Sequence, residues 1–367
     1  MRRTDFQAVV GGFQAEILQL RRSPLFVFLT IVQAITFLLL VSLFGLTGSS
    51  APVALICKDT GPYARTFIAT LENTHHSFDL KEMDPASATA ALHRGDLVGI
   101  LTIPEDFSRS VLFGKDVTIR IDIDNVNTDM TEDVQRGLPS AIVRLGQQLH
   151  LPDLHVRVVE QDLIPHDTGY IAYLVVSGLV LNAFVIAGIL SATAIAREFE
   201  SGTVRLLSLA PAPAFFPLAG RAAATTVFAG VALLLPLAVV VFGYRVVPVH
   251  PVAAVGALML CTVLFSCVGI VLGALLKRTV PVASLIVGMS LPLYLCSGAL
   301  EPERYDGEKL WILGHFSPVY HAVGVVEKAF HGLQVTPEST GVNMLALSGW
   351  LVAMLALAGW LLRRRTP

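Results

Sequence analysis

Arg197-Glu198-Phe199-Glu200-Ser201-Gly202-Thr203-Val204-Arg205-Leu206-Leu207 is a charged loop that turns into a short helix-like run. It is wedged between two long apolar segments, Tyr170–Ala194 and Ala222–Tyr244. Each of these approaches the ~20 apolar residues that carry a helix across a bilayer. Loops between spans are normally shorter and blander. An acidic loop with a Gly-Thr break that then becomes apolar is built to be gripped from the cytoplasm.

The same alternation extends outward. The 367 residues are 54% hydrophobic and 15% charged, where a soluble domain carries about 25% charge. Further apolar segments lie at Pro24–Leu46, Val252–Leu276, Val280–Leu300 and Val342–Leu362. The expected fold is thus a polytopic α-helical membrane protein with six transmembrane helices. The first segment is too long for the apolar core of a signal peptide, and its leader is too long and mixed in charge, so it reads as a retained span.

Basic residues fix the orientation. Arg2, Arg3, Arg21 and Arg22 precede the first span. Arg197, Arg205 and Arg221 follow the second, Lys277 and Arg278 the fourth, and Arg363, Arg364 and Arg365 the sixth. With six spans these fall on one side, which puts both termini in the cytoplasm. Residues 1–23 then form a cytoplasmic amphipathic helix at the membrane surface, with Phe6, Val9, Val10, Phe13, Ile17, Leu18 and Leu20 at helical spacing. Residues 24–46 are the first span, 47–169 an extracytoplasmic domain and 170–367 the remaining spans. In that last part, 197–211 is a cytoplasmic loop with a short helix. Residues 301–341 form an outer re-entrant or interfacial segment, because Glu327 and Lys328 at mid-membrane would be expensive. There Ser317-Pro318 reads as an N-cap and first helical position, and Gly332 as the stop.

The inserted domain reads as α/β. Strands are expected at Val53–Cys57, Leu97–Ile103 and Val117–Ile123. Helices are expected at Tyr63–Glu72, Ala86–His93, Glu105–Leu112 and Asp129–Leu149. A sheet covered by helices follows. Acids outnumber bases across it, as suits a side not selected for positive charge. Of the four cysteines, Cys261 and Cys267 lie in a span. Cys57 and Cys296 read as unrelated buried thiols, with a bridge between them the minor alternative.

Catalytic and metal patterns are missing. The sequence has no Gly-x-x-x-x-Gly-Lys-Ser/Thr phosphate loop, nucleophile elbow or His-Glu-x-x-His. His75 and His76 point to alternate faces, and Asp122, Asp124 and Asp129 lack the rest of a calcium loop. No catalytic residue, metal or cofactor is therefore expected on this chain, and no basic aromatic patch suggests nucleic acid. Nor does any Asp, Glu, Lys or Arg stand mid-span, which argues against a proton relay or ion path. The polar residues there, including Gln33, Thr36, Ser177, Asn182, Ser284 and Ser290, read first as helix-packing groups.

Several features in order, over nearly the whole chain, resemble the permease subunits of ABC-2 type exporters, in the subgroup with a large outer domain after span one. They are Arg21-Arg22-Ser23-Pro24, Val53-Ala54-Leu55-Ile56-Cys57-Lys58-Asp59, Arg94-Gly95-Asp96 and Ile103-Pro104-Glu105-Asp106-Phe107-Ser108. After span two comes the Arg-Glu-x-Glu-x-Gly-Thr pattern of residues 197–203, continued by Leu206, Leu207 and Pro211. Ser297-Gly298, Pro302 and Ser317-Pro318-Val319-Tyr320 complete the outer re-entrant segment.

The resemblance implies a pair of permease chains, a second copy or a paralogue, each bound to a separate cytoplasmic ABC ATPase that carries ATP and Mg. Arg197, Glu198, Glu200, Gly202, Thr203, Arg205, Leu206, Leu207 and Pro211 would form the coupling element, with Glu198 and Glu200 meeting basic groups of the ATPase. A path between the permeases, lined by spans one, two and five, would pass Gln33, Thr36, Ser177, Asn182, Ser284 and Ser290. It suits a hydrophobic or amphipathic cargo such as a drug, lipid or natural product. The outer domain would cover the exit or dock a periplasmic adaptor, and the chain would sit among the lipids of the bacterial inner membrane. The rival reading is a non-transporting surface protein, phage-receptor-like or a secretion accessory, in which the loop has no motor to meet.

Overall fold

A computed structural model describes residues 3–44, 51–73, 78–94, 96–124, 128–149, 156–162, 170–207, 209–300, 314–332, 334, 336 and 338–365. It divides into two compact units, a helical unit formed by Met1–Ser42 with Leu174–Leu300 and the C-terminal segment, and an inserted unit within Leu43–Tyr173.

The helical unit starts with α1 (Arg3–Arg22) and α2 (Pro24–Phe44), bent by 81° at Ser23. Pro24 takes the first position of α2, where its missing N–H costs nothing. Then come Tyr170–Glu200, Thr203–Leu207, Phe215–Ala238, Pro251–Leu276, Thr279–Leu295, Pro318–His331 and Thr340–Arg365. We number the two helices above and the four of the inserted unit first, so these seven are α7 to α13. Among the described residues, four segments are long and apolar enough to cross a membrane: Ile171–Glu200, Phe215–Gly243, Pro251–Leu276 and Thr340–Arg364. The bent pair α1–α2 makes a fifth if counted as one span. This is a multi-pass architecture, with four or five candidate spans where the apolar runs suggested six. The difference lies in Val280–Leu300 and, where the bent pair is not counted as a span, also in Pro24–Leu46. The helix of the former, α11, stops at Leu295 after 17 residues, about 25 Å at 1.5 Å per residue. That is shorter than the ~30 Å hydrocarbon core.

The most hydrophobic stretch of α7 is wholly buried within the chain, against 28% and 22% for those of α9 and α13. The other helices therefore pack around α7. Close approach to α10 depends on glycine. A β-carbon on Gly269 would stand 2.5 Å from the Gly188 carbonyl oxygen, and one on Gly273 would stand 2.5 Å from that of Ala192. Two small residues four apart on each helix let the backbones touch, as in membrane helix pairs generally. Many hydroxyls satisfy themselves locally. Those of Thr30, Thr36, Thr193, Thr226 and Thr262 donate to the carbonyl one turn back. Pro236 lies inside α9, which passes into a π-helical turn at Val239–Gly243.

The sequence signals around α12 hold. Ser317 caps it by accepting from the Val319 N–H at 3.2 Å, Pro318 opens it, and Gly332 ends it at φ +73°. Nearly the whole helix is buried, including Glu327 beside His331 Nε2 at 3.4 Å.

The inserted unit holds β1 (Ala51–Cys57), α3 (Pro62–Glu72), β2 (Phe78–Glu82), α4 (Pro85–Arg94), β3 (Gly99–Ile103), α5 (Phe107–Leu112), β4 (Val117–Ile123), α6 (Thr128–Gln148) and β5 (Val156–Asp162). The sheet order is β2-β1-β3-β4-β5, parallel except for the antiparallel β3–β4 pair. Phe67 and Leu71 of α3, Phe107 and Val111 of α5, and Leu138 and Leu145 of α6 pack on one face. Ala88, Ala91 and Leu92 of α4 pack against Ala54 and Ile100 on the other. The expected strands and helices are present, with two additions. Both β2 and β5 are edge strands, and their charged, half-exposed residues hide the alternation that marks β4. Gly95, in the Arg94-Gly95-Asp96 feature, lies outside the described residues.

Asp59 clamps three parts of this unit. Its carboxylate accepts from the Ser108 N–H at 2.5 Å and the Gly61 N–H at 2.7 Å, and the Ser108 hydroxyl accepts from Ala64 N. Slight burial pushes the carboxyl up, but the Ser108 and Gly61 donors outweigh it and hold it below the usual carboxylate range. A group depressed on folding stabilises fully above its unfolded pKa and loses that contribution as pH falls through the folded value. Asp59→Ala should therefore cost about 1 kcal/mol, as for loss of a helix cap. Faster hydrogen exchange at Ser108 and along α5 is the expected signature, and wild type should move toward the variant on acidification. Equal exchange in the two proteins would remove Asp59 from this role.

Candidate functional site

The end of α7, its turn and α8 are tied to three other helices. Ser201 N closes on the Arg197 carbonyl at 2.9 Å, and Gly202 takes φ +72°, the left-handed conformation that lets a helix end and the chain reverse. Thr203–Leu207 then forms the short α8.

Glu198 points inward. It is 4% exposed, and its Oε1 lies 3.2 Å from Arg221 Nη1 of α9. The same Arg221 nitrogen reaches Glu16 Oε2 of α1 at 3.0 Å, and Arg197 Nη2 stands 3.5 Å from Glu16 Oε1. Glu16 is fully buried. Two acids and two guanidiniums thus join α1, α7 and α9. Glu200 makes a further link, with its Oε2 accepting from the Thr279 N–H at 3.0 Å and the Thr279 hydroxyl at 2.7 Å. That bond satisfies an orphan donor at the start of α11.

Both acids have partners within the chain; Glu198 is enclosed by its own, while Glu200 stays exposed. Glu200, Ser201, Arg205, Leu206 and Pro211 of the segment face outward, with Leu206 68% exposed, and Leu209 lies beside them at 82%. Thr203 and Leu207 are half-buried.

Sequence reasoning missed Glu16, Gly12 and Gly220, and used Arg221 only for orientation. Helix α1 buries the line Gly12, Glu16 and Leu20 against α9, while Phe6, Val10 and Leu18 stay exposed. The crossing is backbone to backbone. A β-carbon on Gly220 would lie 2.0 Å from the Val9 carbonyl oxygen, and one on Gly12 would lie 2.1 Å from that of Pro217. A signal was present, because glycine within a helix is unfavourable unless it permits such contact.

The polar span residues divide into three groups. Gln33 and Ser284 line one cleft of about 520 Å³, with Thr30 and Phe26. Ser177, Asn182 and Ser290 are buried and bonded within the unit. The Ser177 hydroxyl meets Tyr294 OH and the Ala299 carbonyl, both at 2.8 Å, while the Asn182 amide donates to the Gly178 carbonyl at 2.9 Å and the Ser290 hydroxyl to that of Val287 at 2.8 Å. Thr36 donates to the Val32 carbonyl on an exposed face.

In the re-entrant segment, Ser297 bonds the Tyr294 carbonyl at 2.6 Å and Gly298 adopts φ +67°. Tyr320 OH and His315 Nε2 converge on the Glu338 carboxylate. Pro302 lies outside the described residues. No cluster of His, Cys, Asp and Glu fit to hold a metal occurs among the described residues.

The profile of the family described as "ABC-2 family transporter protein" matches residues 24–363. No protein of curated function matches. Among solved structures, a crystallised domain described as part of an ABC type-2 transporter of Thermotoga maritima MSB8 aligns at 20% identity. It covers 30% of this chain and 86% of that one, with a TM-score of 0.25. With the family profile spanning nearly its whole length, the chain belongs to the ABC-2 family of transporter proteins, as a multi-pass transport permease.

Proposed function

We propose that this permease is the membrane half of an ATP-driven exporter, that α8 with its flanks is the element a cytoplasmic ABC ATPase grips, and that two permease chains act together. ATP and Mg belong to the ATPase, and both termini of the permease face the cytoplasm of a bacterial inner membrane. The cargo is a hydrophobic or amphipathic small molecule, in keeping with the Gln33–Ser284 cleft, whose wall is mainly apolar.

One observation carries this reading: an exposed apolar helix sits on a turn whose base is locked to α1, α9 and α11. Exposed Leu206 and Leu209 supply the contact. The internal bonds of Glu198 and Glu200 supply the stiffness that passes a push onward.

The test is capture of the neighbouring ATPase on purified permease. Leu206→Asp should weaken capture by about 2 kcal/mol or more, as for a buried interface anchor, without altering permease stability. Unchanged capture would remove α8 from the interface. Failure of wild type to bind any ATPase would defeat the exporter reading.

A further inference from the structure

Beside α8 lies a polar cavity of about 420 Å³. Its polar wall is Gln19 and Arg22 of α1, Arg197, Ser201, Thr203 and Arg221. The Glu198 carboxylate also faces it, and Glu16 lies buried behind. Three guanidiniums therefore meet two carboxylates. The acids are engaged by Arg197 and Arg221. Arg22 forms no ion pair among the described residues, so one positive charge is left over. With the Gln19 amide and two hydroxyls, the wall offers a concentrated set of donors to an anion.

A second cavity of about 450 Å³ shares Gln19 and Arg197 with the first and runs on along Phe26, Val280 and Ala283. Glu200 also lines this second cavity, its carboxylate accepting from Thr279, so the cation that no carboxylate pairs with among the described residues is Arg22 of the first cavity; with the apolar wall of the second, the two spaces match one amphiphile. Exposed Phe6, Val10 and Leu18 give α1 the apolar edge of a helix lying in the membrane interface, which sets Arg22 at headgroup depth.

We propose that the first cavity binds the phosphate head of an anionic membrane lipid, with Arg22 as its main cation and one acyl chain along Phe26, Val280 and Ala283. The lipid would brace α1 against the turn that carries α8. This inference rests on the cytoplasmic placement of that turn in the proposed function, but its test needs no ATPase.

The full-length permease, purified in detergent, is incubated with phosphatidylglycerol or phosphatidylcholine, and retained lipid is counted by native mass spectrometry. Wild type should retain phosphatidylglycerol in preference. Arg22→Gln should lower that retention about fivefold, and Arg22→Lys should keep most of it. Val280→Trp, at an exposed site, should reduce retention by filling the groove while leaving every charge in place. Equal retention of the two lipids overturns the proposal, as does no effect of Arg22→Gln, or inorganic phosphate occupying the site in place of lipid. Because Leu206 lines neither cavity, Leu206→Asp should lose ATPase capture yet retain lipid, which separates failure of the two ideas.

Discussion

Arg221→Ala will be among the most damaging single substitutions in this protein. It removes the one nitrogen that serves both Glu16 and Glu198, at 3.0 and 3.2 Å, and leaves two carboxylates enclosed with Arg197 alone. Breaking a buried ion pair by deleting one partner costs about 3–5 kcal/mol, because the remaining charge stays desolvated. Thermal denaturation in detergent should show the loss. Trypsin should cut at Arg21 and Arg22 sooner, as α1 is released from α9. Replacing the cluster with apolar side chains, as in Glu16→Met/Glu198→Met/Arg221→Met, should recover most of the loss, since well-packed hydrophobes often equal or exceed a buried ionic cluster. If Arg221→Ala is as stable as wild type, the cluster contributes no stability. If the triple variant is no better than the single one, charge burial is not the cause.

Gly220→Leu and Gly12→Leu should act on the same joint by steric means. The first atom of either new side chain falls near 2 Å from a backbone carbonyl oxygen of the facing helix. No rotamer relieves a clash at the β-carbon, so α1 and α9 must separate. Overpacking costs about 1–3 kcal/mol where the surroundings yield. Here separation also parts Glu16 from Arg221, so the loss should be at the upper end of that range. Gly11 provides the control, because a β-carbon there meets nothing within 4 Å. Gly11→Ala should stabilise α1 slightly, by up to about 1 kcal/mol. Hydrogen exchange along α1 should rise in the first two variants and fall in the third. Equal exchange in all three would mean that the helices do not cross at these glycines.

The contrast between Gly11 and Gly12 shows what the sequence withheld. Hydropathy made the long apolar helices plain, and alternation exposed β4, because both signals are local. The cap Ser317-Pro318 and the stop Gly332 were equally legible, since each depends on one residue's backbone chemistry. Nothing local distinguishes Gly11 from Gly12, or marks Glu16 as the partner of an arginine 205 residues away. The pattern at 197–203 did not show that Glu198 and Glu200 bond within the chain, because their partners lie on α9 and α11. Length was misleading in Val280–Leu300, where the apolar run continues past the last helical residue, Leu295.

The 81° elbow at Ser23 has a mechanical consequence. Helix α1 is fastened to the base of the α8 turn by its salt bridges, and α2 leaves it almost at a right angle. The pair is shaped like a bell crank with its pivot at the elbow. A small rotation of the short arm would swing the far end of α2 through a wider arc, turning motion at one membrane surface into sideways displacement near the other. Stiffening the pivot without touching either arm would then uncouple movement of α1 from movement of α2.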